Sequence, residues 1–209
     1  MPRLKTIPRK SPNQDRAKAT VEAILTATAH VLVKEGYDRA STNRIAIEAG
    51  VSIGSLYQYF PSKEALVATL LERHMADMMQ VFEDTVERLA DAPLEVATRE
   101  LVKAMIVAHA IDPKLHKIFA EQLPRTGRLQ RIGEIERYVA DRLRVKLELH
   151  REVLKPKNLD IAVYLLVQLV ESAGHGTMHD PRMKFDTEAL ADEITDLTLS
   201  YLLAPRLVS

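Results

Sequence analysis

Residues 42–66 read TNRIAIEAGVSIGSLYQYFPSKEAL. Thr42 suits the N-cap of a short helix running through Ala49, because its hydroxyl can accept from the first free backbone N–H groups. Gly50 then permits a tight turn, and Ser52 caps a second short helix through Tyr59. Pro61 ends that helix, and Ser62, followed by Glu64 and Ala65, opens a longer one. Two short helices joined by AGVS form a helix-turn-helix pattern.

The second helix has two faces. At helical spacing Ile53, Leu56, Tyr57 and Phe60 fall on one side, expected to pack on the chain's first helix, residues 16–35, and on Ile45. Ser55, Gln58 and Tyr59 fall on the other, which is polar, small and aromatic and suits a helix lying in a DNA major groove. Gln58 can pair in bidentate fashion with adenine, Ser55 can reach a base or a phosphate, and the Tyr59 hydroxyl can donate to a phosphate. Gly54 lets a phosphate backbone come close, and Lys63 adds a positive charge at the N-terminus of the next helix. Ile53, in the first turn, can pack inward or touch a thymine methyl.

The run STNRIAIEAGVSIGSLYQYFPSKEALVATLL resembles the helix-turn-helix of the TetR family of bacterial transcriptional regulators. The resemblance is carried by Thr42, Ile45, Ala46, Ala49-Gly50-Val51-Ser52, Gly54, Leu56-Tyr57, Tyr59-Phe60, Lys63 and Leu66, and covers residues 15–70. It implies a dimeric, usually ligand-responsive repressor whose first three helices bind duplex DNA while the rest binds effector and partner. It also implies that Thr42, Tyr57, Tyr59 and Lys63 hold phosphates, and that Ile53, Ser55 and Gln58 face bases. Gln58 departs from the aromatic residue often found at its position in that family.

Charge along the chain agrees with a polyanionic partner at one end. The 209 residues carry no net charge, yet residues 1–63 hold ten Lys/Arg against five Asp/Glu, and the remainder hold 19 against 24. The basic RLKTIPRK near the N-terminus is either an arm for phosphates or the minor groove, or an uncontacted tail. It lacks the apolar stretch of a signal peptide. The longest apolar run, IAVYLLVQLV, is broken by Gln168 and too short to span a bilayer, so a cytoplasmic protein is expected. The absence of cysteine excludes disulfides, thiolate zinc sites and thiol redox sensing.

The rest of the chain is helical in pattern, giving an all-α fold of about nine helices. Beyond a first helix at 16–35 closed by Gly36, segments at 63–90, 94–110, 113–122, 127–154, 158–176 and 187–203 follow, punctuated by proline and glycine. A helix-turn-helix domain at 1–62 and a helical effector-binding and dimerisation domain at 63–209 are expected. The last helix shows one stripe of Leu190, Ile194, Leu197 and Tyr201 and a second of Leu199, Leu202 and Leu203, so it wants two partners. By resemblance, the last two helices form a homodimer's four-helix bundle, and a near-palindromic operator is expected.

An effector pocket is likewise expected by resemblance, with His109, Phe119, Tyr138, Tyr164, Gln168 and Glu171 as the polar or aromatic candidates on apolar helices. Glu171, His175 and His179 recur every four residues and would align on a continuous helix, but Gly174, Gly176 and Pro181 argue against continuity and no metal is expected. No Gly-rich phosphate loop, G-x-S-x-G elbow or H-E-x-x-H motif is present, so neither cofactor nor enzyme activity is expected. The competing reading is a helical interaction scaffold without sequence-specific DNA binding.

Overall fold

The computed structural model describes residues 15–110, 114–119, 129–179 and 185–203. Among these the chain forms nine α-helices: α1 (Asp15–Glu35), α2 (Thr42–Glu48), α3 (Ile53–Tyr59), α4 (Lys63–Arg88), α5 (Leu94–Ala110), α6 (residues 114–119), α7 (Leu129–Glu148), α8 (Leu159–His179) and α9 (Thr187–Leu202). A single 3-10 turn, Arg151–Val153, follows α7. No strand occurs among the described residues; one isolated bridge pairs Leu154 with Leu203. The basic N-terminal arm lies outside the described residues.

The helix ends follow local chemistry. Gly36 leaves α1 at φ 78°, a left-handed conformation that costs glycine little, and its N–H closes on the Leu32 carbonyl at 2.8 Å. Gly50 makes the turn between α2 and α3 at φ 66°. Ser52 caps α3 as expected, accepting from the Ser55 N–H at 3.0 Å, and Ser62 accepts from the Ala65 N–H at 3.2 Å to open α4. At α2 the cap is Ser41, which accepts from the Arg44 N–H at 3.3 Å, rather than Thr42. Thr42 is thereby the first helical residue and its hydroxyl is released for another partner. α8 runs unbroken through Gly174 and Gly176 to His179, against the expected interruption, because glycine weakens a helix interior without stopping it.

The described residues fall into two compact units. One comprises the chain up to Ala76 with the stretch from Lys114 to Gln130; the other comprises Asp77–Pro113 and the chain from Arg131 onward. In the first unit Ile24, Leu25, Val31 and Leu32 of α1, Ile45 and Ala46 of α2, Leu56 and Phe60 at α3, Leu66, Val67, Leu70 and Leu71 of α4, and Phe119 of α6 form one buried cluster. In the second, Leu94, Leu147, Leu154, Leu159, Val163 and Leu202 form one cluster, and Val102, Ile106, Ala191 and Ile194 another. α4 is one continuous helix shared by both units.

The last helix turns differently from its expected stripe. Its buried face is Ala191, Ile194, Thr195, Thr198 and Leu202, while Leu197 is 59% and Tyr201 39% exposed. Thr195 can be buried because its hydroxyl donates to the Ala191 carbonyl at 2.6 Å, leaving no polar group unmet, and small side chains let α9 come close to α5.

Candidate nucleic-acid interface and ligand cavity

Leu56 is fully buried and Phe60 nearly so, and they anchor α3 to the first unit's core. That fixes what its other residues present. Ile53 and Tyr57 are exposed, as are Ser52, Gly54 and Gln58, while Ser55 is half-buried. Tyr59 is half-buried and packs on the core cluster. The two tyrosines thus exchange the sides expected of them: Tyr57 turns outward and Tyr59 inward. With Leu56 and Phe60 inward the two tyrosines flank the buried face, and the outward one, Tyr57, has its phenol oxygen 3.0 Å from the released Thr42 hydroxyl across the turn. A tyrosine whose oxygen finds a partner at the rim need not bury its ring.

The outward face carries hydroxyls held by one another. Ser52 Oγ, already accepting from the Ser55 backbone, lies 2.8 Å from Ser55 Oγ. Gln58 extends from the same face. Lys63 stands at the first turn of α4, where its ammonium donates to the Tyr37 carbonyl at 2.7 Å and sits 4.1 Å above the Tyr37 ring. The Tyr37 hydroxyl donates to Glu64 at 3.3 Å, so the loop after α1 is tied to the start of α4. Arg44 is paired with Glu35, which raises the guanidinium's affinity for its proton and lowers that of the carboxyl, chiefly through their hydrogen bond.

The second unit contains a cavity of about 130 Å³ lined by α4, α5, α7, α8 and α9. Its wall is almost wholly apolar, including Phe82, Leu94, Leu101, Met105, Leu143, Leu166 and Val170, with Thr98, Thr198, Lys146 and Glu171 as its polar members. Leu94 and Met105, eleven residues apart on α5 and about 16 Å at the rise of an α-helix, both line it. Of the expected effector residues, Glu171 lines it. His109, 1% exposed, stands behind Glu171: its Nδ1 faces the Met105 carbonyl oxygen at 2.7 Å and its Nε2 faces Glu171 Oε2 at 3.3 Å. Burial pushes the His109 imidazole down, but the bond to Glu171, that carboxylate's charge and the Met105 bond outweigh it and hold the group above its ordinary value.

The other expected effector residues are dispersed. Phe119 is buried in the first unit's core, and Tyr138, Tyr164 and Gln168 are exposed. The side chains of His175 and His179 lie outside the described residues. Among the described residues no three His, Asp or Glu come together as a metal site, and no helix is long and apolar enough to cross a membrane. The apolar cavity residues carried no signal in the sequence, because a leucine lining a cavity and a leucine filling a core have the same helical spacing.

Residues 24–70 match the profile of the bacterial regulatory proteins of the tetR family, and residues 93–202 that of the tetracyclin repressor-like C-terminal domain. An uncharacterized HTH-type transcriptional regulator of Mycobacterium tuberculosis is 30% identical over 168 residues, covering 78% of this chain and 68% of its own. Among solved structures, a TetR-family regulator from Mesorhizobium loti superposes with a TM-score of 0.72 at 20% identity, over 91% of this chain and all of its own. A complex of SmeT with triclosan gives a TM-score of 0.66 at 23% identity, over 91% of this chain and 95% of that one. SmeT is the repressor of a Stenotrophomonas maltophilia multidrug efflux pump. With family profiles matching both its helix-turn-helix and its helical C-terminal part, the chain belongs to the TetR family of DNA-binding transcriptional regulators.

Proposed function

We propose that the protein is a homodimeric repressor that binds a near-palindromic duplex operator and leaves it when an apolar small molecule fills the cavity of the second unit. The observation that carries this reading is the outer face of α2 and α3, where Thr42, Tyr57, Ser52, Ser55 and Gln58 converge on a base locked by Leu56 and Phe60. In this reading Thr42, Tyr57 and Lys63 take phosphates, and Ile53, Ser55 and Gln58 face bases, while Tyr59, turned inward on the core, braces α3 instead of holding a phosphate. Ser52 holds the start of α3, and Gly54 leaves room for the DNA backbone. Residues 1–62 are then the DNA-binding part, and residues 63–209 sense the effector and form the dimer.

Pairing through α8 and α9 is supported by the apolar side chains these helices leave exposed, Ile161, Tyr164 and Leu165 on one and Leu197 and Tyr201 on the other. A two-fold dimer places two recognition helices one or more turns of DNA apart, roughly 34 Å per turn, which is why the operator is near-palindromic. Release by an effector is supported by the apolar cavity and by the SmeT–triclosan complex. The connection is α4: Phe82, near its end, lines the cavity, and Lys63 begins it beside the recognition helix. A ligand shifts this equilibrium only as far as it binds the DNA-free arrangement better. Such a regulator works in the cytoplasm, beside the chromosome.

Selection of duplexes from a random pool, followed by titration of variants, tests the reading. Gln58→Ala should relax preference at one base position, by about 1–3 kcal/mol, and leave other positions unchanged. Lys63→Ala should weaken all duplexes alike and lower the salt slope by about one unit. Recovery of no enriched sequence, or the same loss of preference from both variants, rejects the assignment.

A further inference from the structure

We infer that the cavity selects an organic amine, whose ammonium group takes over from the His109 imidazolium as partner of Glu171. The inference rests on the proposed reading of this cavity as the effector site. Charge is the first consideration. Two charged residues line the cavity: Lys146, whose ammonium donates to the Ala90 carbonyl, and Glu171, whose side chain is 38% exposed and whose carboxylate pairs with His109. A carboxylate beside so apolar a wall is costly unless a cation accompanies it.

His109 is that cation, and its geometry says so independently of any titration. Both ring nitrogens face acceptors, the Met105 carbonyl and the Glu171 carboxylate, so both bonds are made only when the ring carries two protons. The ring is also held in place: a Cβ at position 174 would lie 2.8 Å from His109 Cγ, so α8 admits the imidazole only because Gly174 has no side chain. Unlike lysine or arginine, an imidazolium gives up its proton readily near neutral pH. When an ammonium bonds to Glu171, the imidazolium loses its Nε2 proton to solvent and keeps its Nδ1–H bond to Met105. The buried charge stays balanced, one ammonium for one imidazolium, and one proton is released. A carboxylate ligand at this end would instead set two like charges together, and a neutral ligand would leave the pair as it is.

Calorimetric titration of the full-length protein with octylamine, octanol and octanoate tests the inference, because the three share a chain and differ in the head group. At a pH above the His109 transition, where Glu171 has lost its imidazolium partner, octylamine should bind about tenfold or more tightly than either partner, and below the transition that advantage should fall by about tenfold per pH unit because binding must then expel the His109 proton. Below the transition the apparent heat of octylamine binding, measured in buffers of different ionisation enthalpy, should report close to one proton released. Glu171→Gln should abolish the preference for the amine while octanol still binds. Equal binding of amine and alcohol above the transition, preference for octanoate, or amine binding below the transition without proton release overturns the inference and leaves the cavity as an effector site. Failure of all three to bind overturns the cavity reading as well. The proton count uses the unaltered protein, so the test stands even where Glu171→Gln does not fold.

Discussion

The Thr42 hydroxyl and the Tyr57 phenol meet at 3.0 Å, joining the first turn of α2 to the middle of α3 across the AGVS turn. Either oxygen can donate, so the pair can orient one proton inward and still present a lone pair or a donor outward. Removing one partner costs about 0.5–1.5 kcal/mol for an ordinary hydrogen bond. Tyr57→Phe and Thr42→Ala should each reduce operator affinity several-fold, on specific and unrelated duplexes alike, and lower the stability of the free protein by no more than that amount. The double variant should lose less than the sum of the two, since each single change already breaks the shared bond. Fluorescence anisotropy on both duplexes measures this; strictly additive losses would show that the two hydroxyls act separately.

Two helical glycines should respond to alanine with opposite signs. At Gly133 in α7 an added Cβ meets nothing within 4 Å, so Gly133→Ala should stabilise the protein by about 0.5–1 kcal/mol through helix propensity. At Gly174 in α8 the added Cβ lies 2.8 Å from His109 Cγ and 3.2 Å from its Cβ. Those atoms sit at the root of a buried side chain and cannot swing away, so Gly174→Ala should cost about 1–3 kcal/mol despite the same gain in propensity. Denaturant unfolding at one fixed protein concentration compares the two. A stabilising Gly174→Ala would mean that the ring has room to move.

How far the sequence foretold these features depends on the element. Ser52, Gly36, Gly50 and Pro61 act through the backbone within a few residues of themselves, so the helix ends and the turn could be read directly. The sides taken by Tyr57 and Tyr59 could not. α3 is seven residues, and both tyrosines flank its buried Leu56–Phe60 face, so spacing alone does not say which of them turns in, and the Thr42 hydroxyl that meets Tyr57 lies fifteen residues away. The same holds for α9, where Thr195, bonded to the Ala191 carbonyl of its own helix, and Thr198 occupy the interior and Leu197 is left outside. Of the expected effector residues, Glu171 lines the cavity because α5 and α8 meet there. No local pattern distinguishes it from the exposed Gln168 on the same helix.

The His109–Glu171 pair should make stability depend on pH in a stated direction. The folded-state affinity of His109 for its proton is raised above the ordinary 6.5, so its contribution is fully present below that value and fades as pH rises through the folded-state transition. Unfolding free energies of the wild-type protein and Glu171→Gln should therefore differ most at about pH 6 and converge as the solution becomes alkaline. Protein concentration must be held constant, because a dimer's apparent stability varies with it. A difference that grows with pH would show that His109 is neutral in the folded state.

The exposure of Leu197 makes α9 a clean place to test dimerisation. A buried leucine changed to glutamate would unfold the chain and prove nothing, but Leu197 is 59% exposed, so a charge there costs the isolated fold little. In a dimer formed through α8 and α9 the same carboxylate is desolvated near its symmetry mate, and a buried unpaired charge is expensive. Leu197→Glu should therefore sediment as a folded monomer, with unchanged helical circular dichroism. Its operator affinity should fall by orders of magnitude, since one recognition helix makes only half of the contacts. Leu197→Ala should remain dimeric, with a modestly raised dissociation constant. A glutamate variant that stays dimeric and binds its operator normally would place the interface on another face of the protein.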